Sequence, residues 1–315
     1  MKWVYHYASD DLEHPGVLLE EKLREMGMSV KEFASRADKL EQSVLEILHG
    51  TCSITPEMAL VIEFVTGMSA AVLLNWQKKY DERSARNRCL DRLGNEESWL
   101  SLFPLEEMIR RGWIDRKPTV GEQVDAVLRY FGVASPVAWE NYYFRQRLKV
   151  AFRISLADAA NPHAVASWLR KGELLAMETP LEMQYDAKKL KDSLPSISLL
   201  LQSPPDDLIS RLGSLLAGFG VKLIFTEPLS GIPVKGAARW IYGWPCIQLL
   251  SERHFYDNFR FTVLHEIGHV LLHGKKDIFL EKAGFFPSDD PSYDRKEREA
   301  DDFARKWEAF SVDNQ

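Results

Sequence analysis

Two histidines and a glutamate near the C-terminal end form the strongest chemical pattern in the sequence. They lie in the string HEIGH, which contains His265, Glu266 and His269. Histidines four residues apart project from one face of an α-helix, about 6 Å apart along its axis, so both imidazoles can reach one zinc ion. Glu266 is placed to accept a proton from a water that attacks a peptide carbonyl and to pass it to the leaving amine. The spacing therefore predicts a metal-dependent peptidase with Glu266 as its general base.

The segment around this motif is predicted to be a buried helix. Apolar residues surround HEIGH on all sides in NFRFTVLHEIGHVLLHG, which is typical of a helix inside a core. Buried histidines and a buried glutamate need partners, and a metal ion supplies one. Gly268 costs about 1 kcal/mol relative to Ala inside a helix, so we expect a close neighbour beneath the motif.

A catalytic zinc site keeps three protein ligands and one open position, so a third ligand is required. His273 lies about 12 Å along the axis from His265, so it cannot share the ion and is interpreted as a helix-end residue. The string DRKEREADDFARKW predicts a helix that carries Glu297 and Asp301 four residues apart. We expect Glu297 to be the third ligand and Asp301 to accept the outer N–H of a ligand histidine. Amphipathicity alone does not choose between Glu297 and Glu299, but we interpret Glu299 as a surface charge.

The alternative for Glu297 is that it is one charge of a solvated helix start.

The whole chain has the composition of a globular protein with two or three domains. It has 315 residues, of which 45% are hydrophobic and 27% charged, so it can bury sizeable cores. The net charge of −6 argues against a general polyanion binder. Three widely spaced cysteines form neither a disulfide framework nor a zinc ribbon, and neither a signal peptide nor a membrane span is evident. We therefore expect a soluble, cytoplasmic protein.

Residues 14–82 predict a compact run of short helices. Pro15 and Gly27 delimit the first helix, and Ser29 with Glu32 forms a capping-box pattern at the start of the second. Two short helices joined by a tight turn and flanked by other helices are typical of a helix-turn-helix domain.

The presumed recognition helix of this domain offers few groups for DNA. Lys39, Gln42 and Ser43 are the candidates for phosphate and base contacts, but Glu41 and Glu46 lie on the same helix. The domain contains seven Lys or Arg against eleven Asp or Glu, a net of −4. That balance is unusual because phosphate contacts dominate DNA affinity. Binding to DNA and docking to a protein both stay open.

A short β-rich part precedes the HEIGH helix. The run VKLIFTE predicts a strand, and ARWIYG and PCIQLL predict a hairpin whose turn contains Gly243. PCIQLL comes just before the motif, so we expect it to be an edge strand beside the metal that pairs with an extended substrate.

Two known families resemble this sequence. The stretch GAARWIYGWPCIQLLSERHFYDNFRFTVLHEIGHVLLHG, with KEREADDFA after it, resembles the ImmA/IrrE metallopeptidases, and this resemblance implies Glu297 as the third ligand. The stretches HPGVLLEEKLREMGMSVKEFASRA and SITPEMALVIEFVTGMSAAVLLNWQKKYD are similar to XRE-type helix-turn-helix proteins of the HigA antitoxin kind. The middle stretch, with FPLEEMIRRGWI, resembles the region that joins such modules in fused regulators.

The element pattern and these resemblances predict the fold and the domains. We expect a mostly α protein with a small α+β, zincin-like peptidase domain and an N-terminal all-α helix-turn-helix domain. The predicted domains are residues 1–90 (helix-turn-helix), 91–200 (helical middle region) and 201–315 (peptidase).

The resemblance implies a zinc endopeptidase that cleaves a regulatory protein, such as a DNA-binding repressor or an antitoxin, in a stress or toxin–antitoxin setting. The leading hypothesis couples this activity to a transcription-regulator module that has operator DNA as a second partner and a homodimer as a candidate assembly, with no membrane. One alternative is a HigA-type antitoxin or DNA-binding repressor whose metal domain is structural or sensory. Another is a degenerate peptidase used as a scaffold. Structural zinc sites are usually cysteine-rich, and no cysteine is near this motif, which favours catalysis.

Overall fold

The computed structural model describes most of the chain in two compact units. The described residues are 13–147, 161–230, 232, 234–250, 258–275, 278–282 and 291–310. The units are Met1–Leu93 and Gly94–Gln315. Among the described residues, the first unit contains helices and the second adds a four-stranded sheet. The three domains expected at 1–90, 91–200 and 201–315 stay a prediction.

The described part of the N-terminal unit consists of helices α1 (Gly16–Glu25), α2 (Val30–Arg36), α3 (Glu41–Leu48), α4 (Pro56–Thr66) and α5 (Ala70–Leu93). Its helix starts follow the sequence signals: the hydroxyl of Ser29 accepts the N–H of Glu32 at 3.2 Å, as expected for an N-cap. All five helices contribute apolar side chains to one core, among them Leu19, Phe33, Val44, Ile62 and Leu73.

Helices α2 and α3 are the pair predicted as the helix-turn-helix. The turn between them places Asp38 at a φ of 49°, a left-handed conformation that Asp adopts more readily than most residues. Helix α1 packs closely on α3, because a Cβ atom at Gly16 would lie 2.0 Å from the carbonyl oxygen of Ile47. Only glycine permits this approach.

The second unit begins with a helical part. It contains α6 (Glu97–Leu100), α7 (Leu105–Arg110), α8 (Val120–Phe131), α9 (Pro136–Trp139), a π-helical segment (Glu140–Arg147), α10 (Pro162–Glu178), α11 (Ala187–Asp192), α12 (Leu194–Gln202) and α13 (Leu208–Ala217). Buried aromatic rings fill its core, among them those of Trp99, Phe103, Phe131 and Trp139.

The sheet contains β1 (Lys222–Thr226), β2 (Val234–Ile241), β3 (Trp244–Leu250) and β4 (Ile278–Lys282) in the order β1-β3-β2-β4. Strands β1 and β3 are parallel, whereas β2 is antiparallel to both β3 and β4. The predicted hairpin is confirmed: Tyr242 and Gly243 form its turn with φ values of 48° and 92°.

The expectation that PCIQLL is an edge strand is wrong. It forms most of β3, which lies between β1 and β2. Its residues are buried continuously from Pro245 to Leu250, as expected for a strand covered on both faces. The run of apolar residues indicated burial, but the order of strands depends on pairings between distant segments.

Helices cover both faces of this sheet. On one face pack α14 (Phe259–Leu272), which contains HEIGH, and α15 (Pro291–Glu308). On the other face Gln248 donates a hydrogen bond of 2.8 Å to the carbonyl of Trp168 in α10, and Lys222 donates to that of Ala176. Buried polar side chains therefore join α10 to the sheet.

Of the residues that the structure describes, 63% are helical, and they include a small mixed sheet, which confirms the predicted fold class. None of the helices in the described ranges combines the length and the apolar character required to cross a lipid bilayer.

Candidate metal centre

Helix α14 holds the HEIGH motif in the interior. His265 and His269 are each 2% exposed, and Glu266 is fully buried. The apolar residues around them pack into the main core of the second unit, as the sequence predicted.

Helix α15 lies against α14 beneath the motif. A Cβ atom at Gly268 would lie 3.4 Å from the Cα of Ala300 and 3.1 Å from the ring of Phe303. The close neighbour that a glycine in this helix indicated is therefore α15. This close approach also brings Glu297, one turn before Ala300, to the two histidines.

The side chains of His265, His269 and Glu297 converge. The Nε2 atoms of the histidines are 2.9 Å apart, and the Glu297 carboxylate lies 3.3 Å from Nε2 of His265 and 3.5 Å from Nε2 of His269. One ligand atom from each lies within 4.8 Å of the others. Oε1 of Glu297 is buried without a hydrogen-bond partner among the described residues. Two imidazoles and a carboxylate fit a catalytic metal ion, zinc above all.

Asp301 lies on the outer side of His265. Its Oδ1 is 3.0 Å from Nδ1 of His265, so the carboxylate can hold that nitrogen in its protonated form. Nε2 of His265 then presents its lone pair to the centre of the site.

Glu266 stands beside the three converging side chains without taking part in their cluster. Both of its carboxylate oxygens are buried and lack a hydrogen-bond partner among the described residues. A Cβ atom at Gly236 would lie 2.5 Å from Oε1 of Glu266, so this glycine of β2 makes the space for the carboxylate. Sequence reasoning missed Gly236, although a glycine inside a strand is a signal of close approach by another group.

The predicted DNA-contacting residues lie together in the N-terminal unit. Lys39 precedes α3, and Gln42 and Ser43 belong to its first turn; all three are exposed. The Nε2 of Gln42 donates a hydrogen bond of 3.2 Å to the carboxylate of Glu46. This is the end of the helix that contacts base edges in helix-turn-helix proteins.

Comparison with known proteins supports both modules. A family model for the IrrE N-terminal-like domain, a peptidase family, matches residues 219–308, which include the sheet, α14 and α15. The N-terminal region is similar to the uncharacterized HTH-type transcriptional regulator YddM of Escherichia coli (strain K12), with 33% identity over 66 residues, 21% of this chain and 70% of that protein. The chain belongs to the HTH-type regulators of the XRE/HigA kind. It also carries an IrrE N-terminal-like domain, so both resemblances noted in the sequence are confirmed.

A solved structure is also similar to the N-terminal region of this regulator. It is an addiction module antidote protein of a HigA family from Coxiella burnetii, with 30% identity, 27% of this chain and 92% of that chain covered, and a TM-score of 0.25.

The two histidines of the IrrE-like domain have pKa values that are shifted in opposite directions. Burial opposes protonation of His265, but hydrogen bonds to Asp301 and Glu297 outweigh it and raise the pKa of His265 to about 10. Burial lowers the pKa of His269 to about 4. Burial opposes ionisation of Glu297, but the two histidines beside its carboxylate outweigh burial and bring its pKa to about 2. Burial raises the pKa of Glu266 well above its usual range. A metal ion at this centre would therefore compete with the proton of His265.

A second buried carboxylate, that of Glu281, was not anticipated. It belongs to β4 and accepts a hydrogen bond of 3.0 Å from the hydroxyl of Thr262 in α14. Burial raises the pKa of Glu281, and its charge adds to the upward shift of the Glu266 pKa. Nothing in the sequence IFLEK distinguishes this glutamate from an exposed one at the edge of a sheet.

His273 lies at the C-cap of α14, as its interpretation as a helix-end residue requires. It does not join the converging ligand atoms, but its Nδ1 lies 2.9 Å from Nδ1 of His269. Its Nε2 lies 3.1 Å from a carboxylate oxygen of Glu299. Sequence reasoning missed both contacts.

Proposed function

We propose that this regulator is a zinc-dependent endopeptidase that cleaves another regulatory protein. The convergence of His265, His269 and Glu297, with the carboxylate of Glu266 beside them, carries the proposal. This is the ligand set of catalytic zinc sites, in which a fourth position stays open for water or substrate. The match to the IrrE N-terminal-like peptidase family over the same residues supports it.

The side chains around this centre would divide the work of peptide hydrolysis. Zinc, when bound, polarises the scissile carbonyl and activates water as a nucleophile. Glu266 accepts the proton of the attacking water and donates it to the leaving amine. Burial raises the pKa of Glu266, which suits a group that must hold a proton between these two transfers. Asp301 orients His265 from the outer side.

A structural or sensory metal centre is the alternative function. Structural zinc sites are usually four-coordinate and cysteine-rich. Cys246, in β3, packs with Ala176 of α10 and Ile224 on the face of the sheet opposite α14. Two observations favour catalysis. The carboxylate of Glu266 has no hydrogen-bond partner among the described residues, and the cluster of potential ligands found among them contains no cysteine.

The domain beside the peptidase domain on the same chain indicates the class of substrate. A transcription-regulator module on the same chain supports a substrate from the same regulatory system, such as a DNA-binding repressor or an antitoxin-like protein. Such a protein would act in the cytoplasm, with operator DNA as a second partner and a homodimer as a candidate assembly.

The substrate would bind as an extended segment along β4. This strand pairs with β2 on one side, and no described strand pairs with its other side. An unpaired strand edge near the metal centre can add a substrate backbone as a further strand. We therefore expect cleavage to require a flexible or locally unfolded segment, as the sequence suggested, but at β4 rather than β3.

The proposal is tested by replacing the base with a residue of the same shape. Glu266→Gln should retain zinc within about twofold and lose cleavage of a co-expressed candidate repressor or antitoxin by several orders of magnitude, since base and metal act as a unit. Zinc is measured by titration against a competing chelator, and cleavage by mass spectrometry of the substrate fragments. Asp302→Asn, an exposed acid-to-amide change on α15, is the matched control. Loss of zinc from Glu266→Gln would contradict its role as a base.

A further inference from the structure

The metal centre continues outward from His269 through two more side chains. Nδ1 of His269 lies 2.9 Å from Nδ1 of His273, and Nε2 of His273 lies 3.1 Å from Oε2 of Glu299 in α15. The His273 side chain is 3% exposed, whereas that of Glu299 is 49% exposed. This arrangement links a buried ring nitrogen to a solvated carboxylate by way of one imidazole.

Phe279 of β4 keeps these rings in place. Its ring stacks on that of His269, with centroids 3.9 Å apart and planes 11° apart. It also contacts the ring of His273 at 5.0 Å. The two imidazoles therefore have little room to turn, and the contact between their Nδ1 atoms is a fixed feature of the fold.

The chemistry of imidazole fixes the direction of the hydrogen bonds. If Nε2 of His269 gives its lone pair to a metal, the ring proton is on Nδ1. That N–H can donate to His273 only if Nδ1 of His273 has a lone pair, which puts the proton of His273 on Nε2. The Nε2–H then faces the carboxylate of Glu299, which accepts it. Each donor thus meets an acceptor.

The reverse direction fails at both ends. It would require a proton on the carboxyl group of Glu299, which is half exposed to water. It would also direct an N–H of His269, instead of a lone pair, at the centre of the site, where that nitrogen could contact the carboxylate of Glu297 but could not bind a metal. A carboxylate at position 299 therefore selects the tautomer of His269 that can bind a metal.

We propose that His273 and Glu299 are positioning residues, which together hold His269 in the tautomer and orientation that bind the metal. The inference rests on the proposed metal centre. In this arrangement His269 reaches an outer carboxylate, that of Glu299, through His273. His265 instead contacts the carboxylate of Asp301 directly. The positioning role of Glu299 replaces the expectation from the sequence that this residue is a surface charge without influence on zinc binding.

The test is a zinc titration of full-length variants against a competing chelator. His273→Leu should lower zinc affinity about ten- to a hundredfold, and Glu299→Ala about tenfold, the range for residues that orient metal ligands. In a His273→Leu background, Glu299→Ala should have little further effect, since Glu299 acts through His273. Asp302→Ala, an exposed acid on the same helix, is the matched control and should change zinc affinity less than about twofold.

A rescue variant separates positioning from packing. The Oδ1 of asparagine can take the place of Nδ1 of His273 and accept the N–H of His269. His273→Asn should therefore recover most of the affinity that His273→Leu loses, although asparagine fills less space than leucine. Unfolding temperatures in excess chelator should agree among these variants.

The outcomes distinguish this inference from the proposed function. If Glu297→Ala binds zinc as tightly as the unmodified chain, the metal centre itself is wrong. If Glu297→Ala loses zinc while His273→Leu and Glu299→Ala stay within about twofold, only the positioning role is wrong. Failure of His273→Asn to recover affinity, together with a lower unfolding temperature in chelator, would reduce His273 to a packing residue and overturn the inference.

Discussion

The metal centre and the helix-turn-helix region hold their polar residues in opposite environments. His265, Glu266 and His269 are buried. From outside, Asp301 contacts His265 and His273 contacts His269, and Glu299 in turn contacts His273. In the other region Lys39, Gln42 and Ser43 are exposed, and Gln42 contacts Glu46 of its own helix. The sequence predicted His265, Glu266, His269 and Asp301 of the first set and all three residues of the second, but only the first set is tied to the interior of the fold.

Because the two environments differ, the chain itself constrains the function of one site much more than that of the other. A buried ionisable group costs free energy unless it is paired or binds a metal, so its partners must lie within the fold and indicate what it does. An exposed group costs little and can serve any partner that reaches it. The chemistry of the metal centre can therefore be inferred from the residues around it. The function of the helix-turn-helix depends on a partner that the fold does not specify.

Changing the contact between α14 and α15 should damage the metal centre most. Gly268→Leu would drive a side chain into Ala300 and Phe303, where a Cβ atom alone comes within 3.4 Å of both. We expect the free energy of unfolding to fall by about 1–3 kcal/mol, as for overpacked cores. Zinc affinity should fall at least tenfold, because Glu297 would move away from the histidines.

A second helical glycine provides the control. Gly213 lies in α13, and a Cβ atom there would meet nothing within 4 Å. Gly213→Ala should raise the free energy of unfolding by about 0.4–1 kcal/mol and leave zinc binding unchanged. Chemical denaturation and zinc titration of both variants check this. If Gly268→Leu bound zinc normally, the approach of the two helices would not determine the site.

Salt and single substitutions should change DNA binding by the exposed helix-turn-helix region only weakly. If the module binds DNA, the logarithm of affinity should fall with that of salt concentration by a slope shallower than about −3, because the recognition helix has Lys39 as its nearby cation. Gln42→Ala should reduce discrimination between operator sequences by on the order of 1 kcal/mol. Fluorescence anisotropy at several salt concentrations measures both, with the exposed Gln202→Ala as control.

If the full chain does not bind DNA even at low salt, the negative net charge of the module outweighs its few candidate DNA contacts. Docking to a protein is then its function.

The sequence predicted the parts of the site that depend on helix periodicity. The spacing of His265 and His269 and the acidic pair of Glu297 and Asp301 follow from one turn of a helix, and the structure brings them together. The order of the strands could not be predicted in the same way, because β3 lies between β1 and β2, which follow one another in the chain.

The role of His273 shows a subtler limit. Helix arithmetic excluded it as a metal ligand beside His265, and it lies outside the cluster of His265, His269 and Glu297. The chain turns to an extended conformation at His273, with a ψ of 166°, and its ring comes beside the outer nitrogen of His269. Helix arithmetic does not extend past the end of a helix, so this contact needed the fold.

The most direct test of the metal centre is X-ray absorption spectroscopy at the zinc edge on the full chain loaded with one equivalent of zinc. We expect two imidazole nitrogens at about 2.0 Å and carboxylate or water oxygens at about 2.0–2.2 Å, with no sulfur. In Glu297→Ala the imidazole contribution should persist while the affinity falls. Zinc bound through sulfur, or without two imidazoles, would contradict the assignment of His265, His269 and Glu297 as the metal centre.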